Sequence, residues 1–192
     1  QVQAVLKKAA ALDIQTICAL HGPVLKEDLG YYLGLYNTWS SYGVESEGVF
    51  IAYTSVYGNT KKAAELLKEK LEAKGCPKVA IADLAREDMA ESVEDAFRYG
   101  KLVLATTTYN ADIFPFMRDF VIHLAERGYQ NRTIGIIENG SWAPRSGALM
   151  RKALEDLKNM TILDDGVTMA SSLQRQNLAR KLPRMLADDH DD

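Results

Sequence analysis

From residue 48 to about residue 187 the chain alternates short apolar runs with amphipathic stretches. The runs at 49–53, 79–82, 102–105 and 133–137 are apolar on both faces, and a last one at 166–170 follows a short extended piece at 161–163. Short runs of this kind read as strands buried on both sides. Between and after them, residues 60–74, 90–98, 115–127, 147–158 and 173–186 carry apolar positions at helical spacing. In the third of these, Met117, Phe120, Val121, Leu124 and Ala125 fall at i, i+3, i+4, i+7 and i+8, which makes a stripe facing a core. Strands that alternate with helices pair in parallel, so the pattern predicts an α/β fold with a doubly wound sheet.

The first 47 residues read differently. Residues 2–12 predict a helix, 14–20 an extended stretch that runs into the turn His21-Gly22-Pro23, and 28–39 a second helix. Its Leu29, Tyr32, Leu33 and Tyr36 share one stripe, so that helix packs against something. The polar, glycine-punctuated stretch from Ser40 to Gly48 reads as a boundary. The expected division is 1–47, 48–187, and an acidic tail at 188–192.

Composition narrows the class. At 192 residues, 47% hydrophobic and 26% charged, the chain is expected to be a soluble globular protein. No apolar run approaches the roughly 20 residues of a membrane span, and no secretory signal is read. A net charge of −3 argues against a nucleic-acid surface. Cys18 and Cys76 fit no C-x-x-C spacing, which predicts reduced thiols and a cytoplasmic location. Val24 and Ala82 stand where a C-x5-R phosphatase would need arginine, so cysteine nucleophilic catalysis is not expected. Because the chain opens at Gln1 rather than at a methionine, it is expected to be a fragment of a longer polypeptide.

In a doubly wound sheet, ligands bind beyond the carboxyl ends of the strands, where the strand order reverses. The loop after the first strand is Thr54-Ser55-Val56-Tyr57-Gly58-Asn59-Thr60. It aims backbone N–H groups and the positive end of a helix dipole at one point, with Ser55 and Thr60 adding hydroxyls and Gly58 allowing close approach. It lacks the lysine of a nucleoside-triphosphate loop and the G-x-G-x-x-G of a dinucleotide loop. What remains is a neutral cradle for one phosphate monoester, or an ordinary helix-capping turn. The loops after strands three and four carry Thr107, Thr108, Tyr109 and Asn110, and Asn139, Gly140, Ser141 and Trp142. Tyr109 and Trp142 offer flat faces for stacking while the asparagines reach polar edges. The combination asks for a flat heteroaromatic that carries a phosphate.

These motifs resemble the flavodoxin-like domain of flavodiiron proteins, also called A-type flavoproteins. The resemblance rests on Tyr53 to Thr60, on Thr107-Thr108-Tyr109-Asn110 with Ile113-Phe114-Pro115, and on Asn139-Gly140-Ser141-Trp142, and it covers residues 48 to about 187. It implies a three-layer α/β/α sandwich with a five-stranded parallel sheet in the order 2-1-3-4-5. It also implies FMN bound without a covalent link, with Thr54, Ser55, Val56, Tyr57, Gly58, Asn59 and Thr60 at the phosphate. Thr107 to Asn110 and Asn139 to Trp142 would frame the ring. Ala143-Pro144-Arg145 departs from the family's glycine-rich continuation, and Arg145 would add a charge near the ring. Asp112 and Glu138, in the same loops, would disfavour a reduced anionic ring by like-charge repulsion.

For the segment before Gly48 the resemblance implies the end of a metallo-β-lactamase-like domain, in which His21 would be the last ligand of a di-iron centre. Taken alone, a histidine in a turn reads as structural, and the remaining ligands are not in this chain. The function implied is electron transfer: FMN takes electrons from a donor such as rubredoxin and relays them to a di-iron site that reduces oxygen or nitric oxide, in a protein that forms head-to-tail homodimers. The alternative is a docking or dimerisation module of the same shape that does not use FMN, with 28–39 as its interface. A free-standing quinone or NAD(P)H reductase is disfavoured by the lack of a second nucleotide fingerprint.

Overall fold

A computed structural model describes residues 1–170 of the chain; the predicted helix at 173–186 and the acidic tail lie outside the described residues. The chain divides into two compact units, Gln1–Glu45 and Ser46–Asp192.

In the first unit, helix α1 (Val2–Ala9) precedes a small antiparallel hairpin of β1 (Ile17–Cys18) and β2 (Val24–Leu25), followed by α2 (Leu29–Ser40). The two helices are tied by Gln3 Nε2, which donates to the Asn37 carbonyl at 3.2 Å and to Ser40 Oγ at 2.8 Å. The expected stripe on α2 is only half-covered, with Leu29, Tyr32 and Leu33 half-buried and Tyr36 exposed, and no residue of this unit is buried. His21 stands exposed in the hairpin turn.

The second unit is built on strands β3 (Ser46–Tyr53), β4 (Val79–Asp83), β5 (Tyr99–Tyr109), β6 (Asp112–Ile113), β7 (Thr133–Asn139), β8 (Thr161–Ile162) and β9 (Val167–Met169). Its helices are α3 (Asn59–Ala73), α4 (Met89–Arg98), α5 (Pro115–Glu126) and α6 (Ser146–Leu154). The parallel sheet runs β4-β3-β5-β7, with β8 and β9 both paired to β7. This is the expected 2-1-3-4-5 order with the fifth strand in two pieces. β8 pairs with the start of β7 at Thr133 and Ile134, and β9 with its end from Ile137 to Asn139. Where the edge departs between them, Arg151 of α6 donates to the Ile162 and Leu163 carbonyls at 3.3 and 2.7 Å, so those acceptors are not left bare.

Alternation along the strands sends side chains to two cores. Phe50, Ala52, Leu102 and Leu104 pack with Ala96 of α4, Phe120 of α5 and Met150 of α6. Val49, Ile51, Val103 and Ala105 pack with Ala63, Leu67 and Leu71 of α3. Helices on both faces of one sheet make the three-layer sandwich.

Local signals account for the element ends. Asp88 caps α4 through the Ala90 and Glu91 amides, Pro115 opens α5, and Gly75, at φ +86°, follows the end of α3. β3 neighbours both β4 and β5, so the strand order reverses between β3 and β5, and any ligand crevice belongs at their carboxyl ends.

Candidate functional site

Three loops leave the carboxyl ends of β3, β5 and β7 and enclose a cleft of about 470 Å³. That lies within the roughly 300–1,000 Å³ of small-molecule sites. Its lining is Ser55, Val56, Tyr57, Asn59, Thr60, Thr107, Thr108, Tyr109, Asn139, Gly140 and Ser141, all of them expected from the sequence. Of the other residues expected at the site, none lines the cleft: Thr54 is fully buried, Gly58 is the cap of α3, Asn110 sits in the β5–β6 turn, and Trp142 is 97% exposed. No charged side chain lines the cleft, and among the described residues no three of His, Cys, Asp and Glu gather to hold a metal ion.

The first loop turns into α3 at Gly58, where φ is +83° and the space around the absent Cβ is open to 4 Å. α3 starts without a side-chain cap and without an acidic residue in its first turn, so nothing anionic of its own occupies the positive end of the helix. Ser55 Oγ is buried and has no hydrogen-bond partner. A buried hydroxyl left unpaired costs about 1–3 kcal/mol, which is tolerated where a ligand completes the bond.

The second loop is a hairpin. β5 runs four residues past its expected end at Ala105, then turns through Asn110 and Ala111, at φ +49° and +57°, into antiparallel β6. Two successive left-handed residues are the signature of a type I′ turn, whose twist matches that of the strands. Tyr109 rests edge-on against Phe114 at 5.5 Å, and Phe114 stacks on Phe116 at 6.1 Å, which fixes the base of the hairpin.

Side chains knit the three loops together. Thr60 Oγ1 lies 3.2 Å from Thr107 Oγ1 and accepts from Asn139 Nδ2 at 3.4 Å. Asn139 Oδ1 is then buried without a partner. The third loop folds back tightly at Gly140, where a Cβ would stand 3.1 Å from Pro144 Cα.

The two carboxylates of these loops stay out of the cleft. Asp112 accepts from the Ile113 N–H at 2.7 Å and pairs with Arg118 at 2.8 Å. Glu138 accepts from the Gly147 N–H and the Thr168 hydroxyl, both at 2.9 Å, because strand alternation turns it away from the face that Asn139 presents.

The cleft is concave and uncharged, lies at a helix N-terminus that has no side-chain cap, and is bordered by two buried polar atoms without partners. No His, Cys, Lys, Asp or Glu is among the residues that line it. A sequence model of the family described as the flavodoxin domain matches residues 50–175, and the chain belongs to that family.

Among curated relatives, the nitric oxide reductase of Moorella thermoacetica is 25% identical over 183 residues, covering 92% of this chain and 45% of that protein. Among solved structures, the flavodiiron protein of Giardia intestinalis superposes with a TM-score of 0.88 at 18% identity, and the rubredoxin oxygen:oxidoreductase of Desulfovibrio gigas with 0.82 at 17%. Each covers 96% of this chain and 46% of the solved chain. These structural likenesses establish the fold. The chain spans less than half the length of the curated relatives it matches.

Proposed function

We propose that the cleft binds FMN without a covalent bond and that the chain is the electron-transfer part of a flavodiiron-type oxidoreductase. The observation that carries this is the pair of buried atoms without partners, Ser55 Oγ and Asn139 Oδ1, in a cleft bounded by an uncapped helix N-terminus. A phosphate monoester meets the first and the helix end, and a group with hydroxyl or N–H donors meets the second. Thr54 to Thr60 would form the phosphate loop, while Thr107 to Asn110 and Asn139 to Trp142 would flank the ring. When bound, the flavin supplies the one- and two-electron chemistry. The protein's part is to hold the cofactor and exclude water.

The names of the two relatives that reduce nitric oxide or oxygen support a role in delivering electrons to such a centre. On this reading residues 1–47 close a metallo-β-lactamase-like domain and His21 is one ligand of its di-iron site. The electron donor is a small redox protein such as rubredoxin, and the intact protein works as a homodimer. Two free cysteines fit a reducing, cytoplasmic setting.

Titration of the flavin-free chain with FMN and with riboflavin, followed by quenching of flavin fluorescence, tests the cradle. FMN binding at least about tenfold tighter than riboflavin is expected from one phosphate held by several N–H and O–H donors. Equal affinity for the two would remove the phosphate from the account.

A further inference from the structure

The start of α6 raises a question of where its amides are satisfied. Arg145, at the cap position, makes no side-chain cap, so the first-turn N–H groups need partners from elsewhere in the fold. The Arg145 and Ser146 N–H groups both donate to Thr108 Oγ1, at 3.0 and 3.1 Å. The same hydroxyl donates its proton to Ser146 Oγ at 3.1 Å. A hydroxyl has one proton and two lone pairs. All three are used. The next amide, that of Gly147, goes to Glu138 Oε2 at 2.9 Å, and a Cβ on Gly147 would press to 2.9 Å from that carboxyl group.

Residues 140–145 therefore hang between two fixed points: Asn139 at the end of β7, and the start of α6 held to β5 by Thr108. Thr108 lines the cleft, yet its hydroxyl has no capacity left for a ligand. Ser55 Oγ and Asn139 Oδ1 stand in contrast, being buried and unpaired.

We infer that Thr108 is a positioning residue rather than a cofactor ligand: its hydroxyl bolts the third loop to the second and so sets the wall formed by Asn139, Gly140 and Ser141. The inference rests on the reading of the cleft as an FMN site.

The test compares Thr108→Val, Thr108→Ser and Ser146→Ala with the parent chain in two measurements, amide hydrogen exchange across 140–147 without FMN, and FMN affinity by fluorescence quenching. In Thr108→Val the Arg145 and Ser146 amides exchange about tenfold faster or more and FMN binds about tenfold more weakly. Thr108→Ser restores both. Ser146→Ala keeps both amide bonds and removes only the hydroxyl acceptor, so it moves both readouts the same way by less. It carries the test if Thr108→Val does not fold, and no shift in either of its readouts would then overturn the inference. Weakened FMN binding with unchanged exchange would show a direct contact to the cofactor and overturn it. Faster exchange with unchanged affinity would reduce Thr108 to a helix cap and overturn it as well. Failure of the parent chain to bind FMN is a separate result that sinks the cofactor reading, and the exchange arm then decides alone whether Thr108 holds the loop.

Discussion

The hydroxyls of Thr54 and Thr106 lie 2.6 Å apart and both residues are fully buried, so the ends of β3 and β5 are joined through side chains where the cleft loops depart. A backbone bond from the Thr54 N–H to the Ala105 carbonyl, at 2.9 Å, runs beside it. Replacing either threonine by valine strands the other hydroxyl in the interior, at a cost of about 1–3 kcal/mol, whereas replacing both leaves two matching methyl groups. The double variant Thr54→Val/Thr106→Val is thus expected to lose clearly less stability than the sum of the singles, read from urea denaturation midpoints. Strict additivity would deny the coupling.

Ala111 holds φ at +57° in the β5–β6 turn, where its Cβ crowds the backbone. Glycine is the residue this turn prefers, and the usual penalty for introducing it is reversed at a left-handed position. Ala111→Gly is expected to raise stability by about 0.5–1 kcal/mol, seen as a higher thermal midpoint. A lower midpoint would mean that the turn is held in another conformation.

Two tyrosines tie stability to alkaline pH. Tyr53 is pushed up to about 12, first by burial and then by Asp83, Glu65 and Glu87, with Arg86 opposing. Burial also pushes Tyr129 up; its hydroxyl donates to the Ala96 carbonyl at 3.1 Å. The unfolded phenols lose their protons near 10, whereas in the fold they keep them to higher pH. Between those values the unfolded chain binds fewer protons. Stability is accordingly complete below pH 10 and falls as pH rises through the window from 10 to 12. Absorbance titration at alkaline pH should show these two phenols ionising together with unfolding, and Tyr53→Phe should flatten part of the decline.

Much of this architecture is visible in the sequence because parallel strands are apolar on both faces. The runs around Phe50, Leu102 and Ile134 mark their strands without help from the tertiary structure. The parts that are not legible depend on distant partners. β5 continues through Thr106 to Tyr109, polar residues that resemble a loop until β7 pairs with Thr106 and Thr107 and β6 with Thr108 and Tyr109. Asp112 and Glu138 read as charges near the ligand, but Arg118 and the amide of Gly147 claim them. The resemblance sets Thr108 at the ring and Ser55 at the phosphate, both of them hydroxyl residues in cleft loops. Only the positions of Arg145 and Ser146, 37 and 38 residues further along the chain, separate the two hydroxyls. In the stretch 14–20 only Ile17 and Cys18 are strand, because only Leu25 and Val24 pair with it.

Ser55 Oγ is buried and unpaired, and on the proposed reading a ligand's phosphate completes its bonding. The most direct measurement is the visible absorption spectrum of the purified chain, and of Ser55→Ala, after loading with excess FMN and removing what is unbound, alongside the unfolding midpoint of each flavin-free protein. Flavin bands are expected at near-stoichiometric strength in the parent and reduced about tenfold or more in the variant once unbound FMN is removed, with the flavin-free variant at least as stable as the parent, since it no longer buries an unsatisfied hydroxyl. A parent chain that retains no flavin would remove FMN from the cleft, and a variant that retains it as well as the parent would remove Ser55 from the phosphate.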